Sequence, residues 1–123
     1  MTTWKTEAEE EIRLGLEERE RGMEGRARVR ARRAAGHILG EYFRRAGIPD
    51  PGPNAYERLK VLLARPDAPA EARRAAHFLT MKVNLDLQLP PGVDLFTETQ
   101  RLCQSLLDET LNTLPPVEAS DGA

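Results

Sequence analysis

A long stretch with helical periodicity between residues 24 and 46 constrains the fold of this chain more than any other feature. Its apolar side chains recur at about 100° per residue and form a single stripe, made of Ala27, Ala31, Ala34, Ala35, Ile38, Leu39 and Tyr42. Because most of these residues are alanines, another helix can approach this face closely. Gly47, followed by Ile48 and Pro49, is typical of a helix terminus. The pattern predicts a helix whose stripe faces the core.

The residues before this segment predict a first helix over about residues 6–21. Thr6 and Glu9 have the spacing of a capping box at its start. Four apolar residues then recur at helical spacing: Ala8, Ile12, Leu16 and Met23. Gly22 and Gly25 predict a joint between the first and second helices, because glycine tolerates positive φ and weakens a helix interior.

Two further helices are predicted in the middle of the chain. Asn54 and Glu57 form a capping box for a third helix that ends near Arg65. Asp67 and Pro69 suit the start of a fourth helix. The core face of that fourth helix consists of Ala72, Ala76, Leu79 and Val83. A second apolar face, at Phe78, Met81 and Leu85, predicts a dimer contact or another partner surface.

The last part of the chain predicts a loop and a fifth helix. Leucines alternate at positions 85, 87 and 89, which fits either a short strand or an ordered loop, and the loop is favoured because no second strand is predicted. Asp94 can cap a helix that continues through Leu114. Its apolar face contains Leu95, Phe96, Leu102, Cys103, Leu106, Leu107 and Leu111. We therefore expect an all-α, up-and-down bundle of four to five helices in one domain, residues 1–114, with a flexible tail at 115–123.

Composition agrees with a single folded domain. The 123 residues include 40% hydrophobic and 31% charged residues, which argues against disorder. Cys103 has no second cysteine to pair with, and this indicates a reducing compartment. The N-terminus lacks the apolar stretch of a signal peptide, and no run approaches the length of a membrane span. We expect a cytoplasmic protein without a membrane segment.

The second predicted helix also displays a basic face. Net charge is −2, yet seven arginines lie between residues 26 and 45. A helical projection places five basic side chains on the side opposite the alanine stripe: Arg26, Arg30, Arg33, His37 and Arg44. Several guanidinium groups on one face can hold the phosphates of RNA, DNA or a nucleotide.

An alternative is that this basic face simply pairs with acidic residues of the first helix. The candidates are Glu7, Glu10, Glu17 and Glu20. No aromatic residues interleave with the arginines in the sequence, whereas proteins that bind single-stranded nucleic acid combine basic residues with aromatic platforms. Ion pairing is therefore favoured over specific phosphate binding.

His37 is the strongest candidate for chemistry, since Arg33 and Arg30 precede it by one and two helical turns. His77, one turn after Arg73, makes a weaker cluster. Two histidines and one cysteine do not predict a metal site, and no cofactor is expected. Phosphate-binding glycine loops, paired cysteine motifs and serine nucleophile elbows are absent from the sequence.

The order of elements resembles that of HEPN-domain proteins over roughly residues 6–114. The resemblance rests on an acidic first helix, a long second helix that begins Arg-Ala-Arg-Val-Arg-Ala-Arg-Arg-Ala-Ala-Gly-His at residues 26–37, and a Leu-Pro-Pro loop before the last helix. It implies a helical bundle, commonly a homodimer. The family includes metal-independent ribonucleases, toxins of toxin–antitoxin pairs, and non-catalytic members that bind RNA or nucleotides.

In the ribonucleases of that family an arginine precedes a histidine by four to six intervening residues. Arg32 and His37 meet this spacing, and so do Arg30 and His37. The family motif usually lies in the later half of the domain, whereas here it falls in the second helix. The resemblance therefore favours a non-catalytic module over an enzyme.

Three hypotheses follow for function. The first is a homodimeric HEPN-like module that binds a partner protein or an anionic ligand such as RNA or a nucleotide. The second is a metal-independent endoribonuclease toxin, in which His37 acts as general base or acid, Arg30 or Arg32 stabilises the transition state, and a nucleotidyltransferase-type protein is the partner. The third is a structural adapter that uses the second face of the fourth helix.

Overall fold

The computed structural model describes residues 3–81 and 89–118, and the regular secondary structure within these ranges is entirely helical. The five helices are α1 (Trp4–Glu20), α2 (Glu24–Ala46), α3 (Ala55–Leu63), α4 (Ala70–Thr80) and α5 (Leu95–Leu107). No strand occurs in the described ranges. These observations confirm the predicted all-α fold with five helices.

The second helix has the bounds that its sequence predicts, because both of its ends carry strong local signals. Gly22 adopts φ 78° in the turn that separates α1 from α2. At the other end, Gly47 adopts the left-handed conformation with φ 67°, and its N–H donates to the carbonyl of Phe43. The buried aromatic residue near this end is Phe43, whereas Tyr42 packs only partly against the core.

The predicted start of α1 is wrong by two residues. Thr3, and not Thr6, is the N-cap: its hydroxyl oxygen accepts a hydrogen bond of 3.2 Å from the backbone N–H of Thr6. A threonine stands at both positions, and each is followed by residues suited to a first helical turn. The cap at Thr3 brings Trp4 into the helix, where its side chain packs partly against the core.

The predicted end of α5 at Leu114 is also wrong. Asp94 caps the helix as expected by accepting from the N–H of Phe96, but the helix ends at Leu107, and Asp108 adopts the left-handed conformation with φ 55°. Leu111 is fully buried although it lies outside the helix. Leu111 follows Leu107 by four residues, which is the spacing of one more helical turn, and the sequence pattern therefore predicted a longer helix.

Two glutamine side chains of α5 explain how the chain beyond this helix is held. Gln100 is fully buried, accepts from the N–H of Leu111 at 2.8 Å and donates to its carbonyl at 2.9 Å. Gln104 makes the same two bonds to Val117, each 2.8 Å long. The predicted flexible tail begins within this bonded stretch, and its residues 119–123 lie outside the described residues.

Several predictions concern the segment between α4 and α5. Val83, Leu85 and Leu87 lie outside the described residues, so the strand-or-loop alternative for this segment stays a prediction. Leu89, the first described residue after it, packs partly against the core. No helix in the described ranges has the length and apolar character needed to cross a membrane.

Helix α2 is central, since it contacts each of the other four helices. Its stripe residues Ala27, Ala31, Ala34 and Ala35 are all 0% exposed. The larger core side chains come from every helix, and those that are almost fully buried include Ile12, Ile38, Leu39, Phe43, Leu59, Leu62, Leu79, Leu95 and Leu102. The small α2 residues let larger side chains from the surrounding helices fill the space between them.

Gly15 marks the tightest contact of α1 with its neighbours. A Cβ atom at this position would lie 2.8 Å from Cζ of Phe96 on α5 and 2.9 Å from Cβ of Arg30 on α2. Arg19, one turn later, reinforces the same junction: its guanidinium binds Glu24 and Asp94 and lies 4.5 Å from the centre of the Phe96 ring. Three helices meet at Gly15 because this residue has no side chain.

Gly15→Ala should therefore destabilise the fold by about 2 kcal/mol, because the added methyl group overpacks the junction of α1, α2 and α5. Gly25→Ala is the matched control, since a Cβ there would meet nothing within 4 Å. That control should be neutral or stabilising by up to about 1 kcal/mol, as alanine favours the helix. Thermal unfolding measures both effects, and a Gly15→Ala protein as stable as the wild type would contradict the packing argument.

Candidate functional site

A second close approach positions the candidate site. A Cβ atom on Gly36 would lie only 2.8 Å from Cβ of Ala55, so the start of α3 packs directly on α2. Arg58 braces this contact: it donates to the carbonyl of Gly36 at 3.0 Å and binds the carboxylate of Asp50 through two nitrogens. The first residues of α3 are thus held beside His37.

This packing creates an open cleft of about 410 Å³, here called the α2–α3 cleft. Its lining comes from α2 and from the start of α3, with Glu11 of α1 at one side, and it includes Val29, Arg32, Arg33, His37, Asn54 and Tyr56. Asn54 caps α3 by accepting from the N–H of Glu57. The cleft therefore combines basic, aromatic and apolar side chains.

Arg33 and Arg26 are the exposed basic groups of this region. Within the described part of the chain, no carboxylate lies within ion-pair distance of either guanidinium, and Arg26 contacts only the sulfur of Met23 at 3.9 Å. Both line a second depression of about 220 Å³, which shares Val29 and Arg33 with the α2–α3 cleft. These two arginines can bind an anion without first breaking an ion pair.

Arg30 lies between them but is already paired. Its Nε donates to Glu18 at 2.8 Å and its Nη1 to Glu11 at 3.2 Å, so it joins α2 to α1. These hydrogen bonds raise the pKa of Arg30. The ion-pairing alternative thus applies to Arg30, although with different glutamates: Glu10 and Glu17 instead bind Arg13 within α1.

Arg32 lines the α2–α3 cleft but is held by main-chain groups. Its Nε and Nη2 donate to the carbonyls of Leu79 and Met81 at the end of α4. A cation at this position also interacts favourably with the negative end of the helix dipole. Burial, together with the nearby charge of Arg28, lowers the pKa of Arg32. Arg32 is thus placed to join α4 to α2.

Arg44, the last residue predicted for anion binding, points away from the cleft toward Glu41. Arg44 and Arg45 both bind the Glu41 carboxylate, at 2.6 and 2.7 Å. Hydrogen bonding from Arg44, and then from Arg45, lowers the pKa of Glu41 to about 2. Neither arginine lines the α2–α3 cleft or the second depression.

His37 stands at the boundary between the basic cleft and an acidic groove. The groove, of about 450 Å³, is lined by Thr6, Glu7, Glu10, Glu11 and His37. Nδ1 of His37 lies 3.1 Å from a carboxylate oxygen of Glu7. This contact is an ion pair when the imidazole is protonated, and it leaves Nε2 as the nitrogen for a ligand or a proton.

Tyr56 is the residue that sequence analysis missed. The residue is 38% exposed and lines the α2–α3 cleft, and the centre of its ring lies 5.5 Å from Nζ of Lys60. The arginines of α2 have no aromatic neighbour in sequence, but α3 brings one to them in space. Two features of the sequence could have indicated it. Gly36 allows a close contact between helices, and the Asn54 cap starts α3 just before Tyr56.

The other predicted sites lie elsewhere. His77 is exposed on α4 and its ring is 5.7 Å from that of Phe78. Phe78 and Met81 are each partly buried, and Leu85, the third residue of the predicted partner face, lies outside the described residues. Cys103 is buried, and burial raises its pKa to about 12, so its thiol is unreactive. No group of three or more potential metal ligands occurs in the described ranges.

No protein-family model, no curated protein and no solved structure matches this chain. The resemblance to HEPN-domain proteins therefore stays a prediction, and function has to be argued from the geometry of the site.

The Glu41 cluster gives a pH-dependent prediction. The pKa of Glu41 is lowered from 4.5 to about 2 in the folded state. The stabilisation that its ionised carboxylate provides is therefore complete above pH 4.5 and is lost as the pH falls through about 2. Glu41→Gln should therefore lower the melting temperature at pH 6, and this deficit should shrink toward zero near pH 2. Glu57→Gln is the control, because Glu57 forms an exposed ion pair with Lys60 at 3.7 Å. This variant should change the melting temperature little at either pH. A Glu41→Gln deficit that is equal at both pH values would contradict the assignment.

Proposed function

We propose that this protein binds a phosphate-bearing ligand of the nucleotide or RNA type in the α2–α3 cleft. The observation that carries the proposal is the meeting of Arg33, which has no carboxylate partner among the described residues, with an exposed tyrosine in one cleft. A guanidinium offers paired donors to phosphate oxygens, and an aromatic ring offers a stacking surface to a base. Metal ligands play no part in the proposal.

The electrostatic setting supports phosphate binding despite the negative net charge. Glu11 and Glu18 both face α2, and Arg30, which binds both, offsets one of their two negative charges. The linings of the two depressions together contain four arginines, at positions 26, 30, 32 and 33, against these two glutamates. The half-buried Arg32 adds a positive charge to the cleft wall without a carboxylate partner in the described ranges. A bound phosphate therefore meets a locally positive surface.

Arg33→Gln should weaken the binding of AMP at least tenfold, because it removes a charge-assisted bond to phosphate. Arg44→Gln is the matched control, since it lies on the same helix but outside the cleft. NMR chemical-shift titration at low and at high salt detects weak binding and reports its location. The proposal fails if AMP leaves the resonances of His37 and Tyr56 unmoved, or if both variants bind AMP as the wild type does.

A second candidate is metal-independent cleavage of RNA, and the contact between His37 and Glu7 favours it. With the Glu7 carboxylate beside Nδ1, Nε2 can take the proton of a ribose 2′-hydroxyl, whose oxygen then attacks the adjacent phosphorus to form a 2′,3′-cyclic phosphate. The bond to the 5′-oxygen breaks, and this leaving oxygen takes a proton from water. Arg33 is better placed than Arg30 to hold the phosphate, since Arg30 is paired with two glutamates and lines only the second depression.

If this second candidate is right, His37→Ala should abolish cleavage of a structured RNA in the presence of EDTA. Glu7→Gln should slow it by a smaller factor, because the amide holds the imidazole less strongly than the carboxylate does. His77→Ala, which changes an exposed histidine on α4, should cleave at the wild-type rate. Gel analysis decides the matter: no cleavage by the wild type, or equal cleavage by His37→Ala, would exclude a catalytic role for His37.

A further inference from the structure

The α2–α3 cleft does not end at Arg33. The second depression continues from it along α2, because Val29 and Arg33 line both of them. Arg26 lies at the far end of this continuous surface. Since Arg26 and Arg33 are seven residues apart on one helix, their backbones are separated by about 10 Å along the helix axis. At that separation the two guanidinium groups can each contact a different phosphate of one strand.

The cleft end of this surface has a different character. Within the described ranges only three large apolar side chains are exposed, namely Val29 (43%), Tyr56 (38%) and Leu63 (37%). Two of these three line the α2–α3 cleft, and His37 adds a second ring. An exposed aromatic ring beside basic groups suits an unpaired base, whose stacking on such a ring contributes about 1–3 kcal/mol.

The surroundings favour a single strand over a duplex. Glu7, Glu10 and Glu11 line the acidic groove next to His37, and Glu11 also lines the α2–α3 cleft, so acidic side chains flank the surface on this side. A duplex would bring the phosphates of its second strand toward this acidic side. Its bases are also paired and stacked with each other, so they cannot stack on Tyr56.

From these observations we infer that the ligand is a single-stranded nucleic acid of at least two nucleotides, with a base on Tyr56, one phosphate at Arg33 and the next part of the backbone directed toward Arg26. This inference rests on the proposed function, since it uses the same cleft. It adds a second phosphate contact, which AMP cannot make because it has one phosphate group. Arg30 binds Glu11 and Glu18 beneath the strand and offsets one of their two negative charges.

The experiment is a length series measured by fluorescence anisotropy or by competition. The probes are AMP, ATP, and single strands of two, four and eight adenylate residues, in both RNA and DNA form, with a self-complementary eight-residue duplex as comparison. Affinity should rise at least tenfold from AMP to the short single strands, and the duplex should bind more weakly than the single strand of equal length. Comparison of the RNA and DNA arms shows whether the ribose 2′-hydroxyl contributes.

Three variants locate the contacts. Arg26→Gln should weaken binding of the four-residue strand several-fold, reduce the magnitude of its salt-dependence slope by about one, and leave AMP binding unchanged. Tyr56→Ala should weaken both AMP and the strands, whereas Tyr56→Phe should retain binding because the stacking ring remains. Arg44→Gln should change neither.

The outcomes separate this inference from the proposed function. If no probe binds, or if binding is indifferent to Arg33→Gln, both are wrong. If AMP binds through Arg33 but lengthening the strand adds nothing and Arg26→Gln is silent, the proposed function stands and the strand inference is overturned. The inference is also overturned if ATP equals the strands in affinity and in its dependence on Arg26, or if the duplex binds as tightly as the single strand.

Discussion

Close contact between helices at residues with small side chains determines the architecture of this bundle. Helix α2 contacts all four other helices, and its core stripe consists largely of alanines that are completely buried. Alanine side chains bury little area themselves, so the larger residues of the surrounding helices must reach across to fill the core. The position of α2 therefore depends on the absence of bulk along its length, and a larger residue at Ala31 or Ala34 would push apart several helices at once.

A close helix contact at a small residue also positions the candidate site. Without a side chain, Gly36 lets Ala55 pack on α2, and Arg58 then fixes the connector by binding both Asp50 and the carbonyl of Gly36. Tyr56 follows Ala55 directly, so its place beside His37 is a consequence of helix packing. The cleft is thus positioned by contacts that also stabilise the fold. A ligand would meet side chains whose backbones are already held in place, which reduces the cost of ordering them on binding.

The sequence predicted those parts of the structure that depend on local signals. The bounds of α2, the Asn54 cap and the Asp94 cap are each set by a few adjacent residues. The end of α5 could not be predicted in this way, since it depends on Gln100 and Gln104, whose amides replace helical partners for residues beyond Leu107. Tyr56 was missed for a similar reason. Its neighbours in space come from α2, and only the packing of two helices brings them together.

The basic face of α2 shows why a count of arginines says little about binding. Of the seven arginines between residues 26 and 45, Arg30, Arg44 and Arg45 bind carboxylates at 3.2 Å or less, and Arg32 binds carbonyls at the end of α4. Arg28 lies 3.9 Å from Glu24 and is partly buried. Four of these five residues hydrogen-bond to the protein itself, whereas Arg28 makes the longer ion pair and its buried Nε has no hydrogen-bond partner among the described residues. The helical projection grouped Arg26, Arg30, Arg33 and Arg44 as equivalent, but their partners in space distinguish them. The two exposed arginines without a carboxylate or carbonyl partner among the described residues, Arg26 and Arg33, lie on one continuous surface beside the exposed Val29, and Arg33 shares its cleft with Tyr56. On this helix, within the described residues, arginines without a carboxylate or carbonyl partner coincide with exposed apolar surface only there.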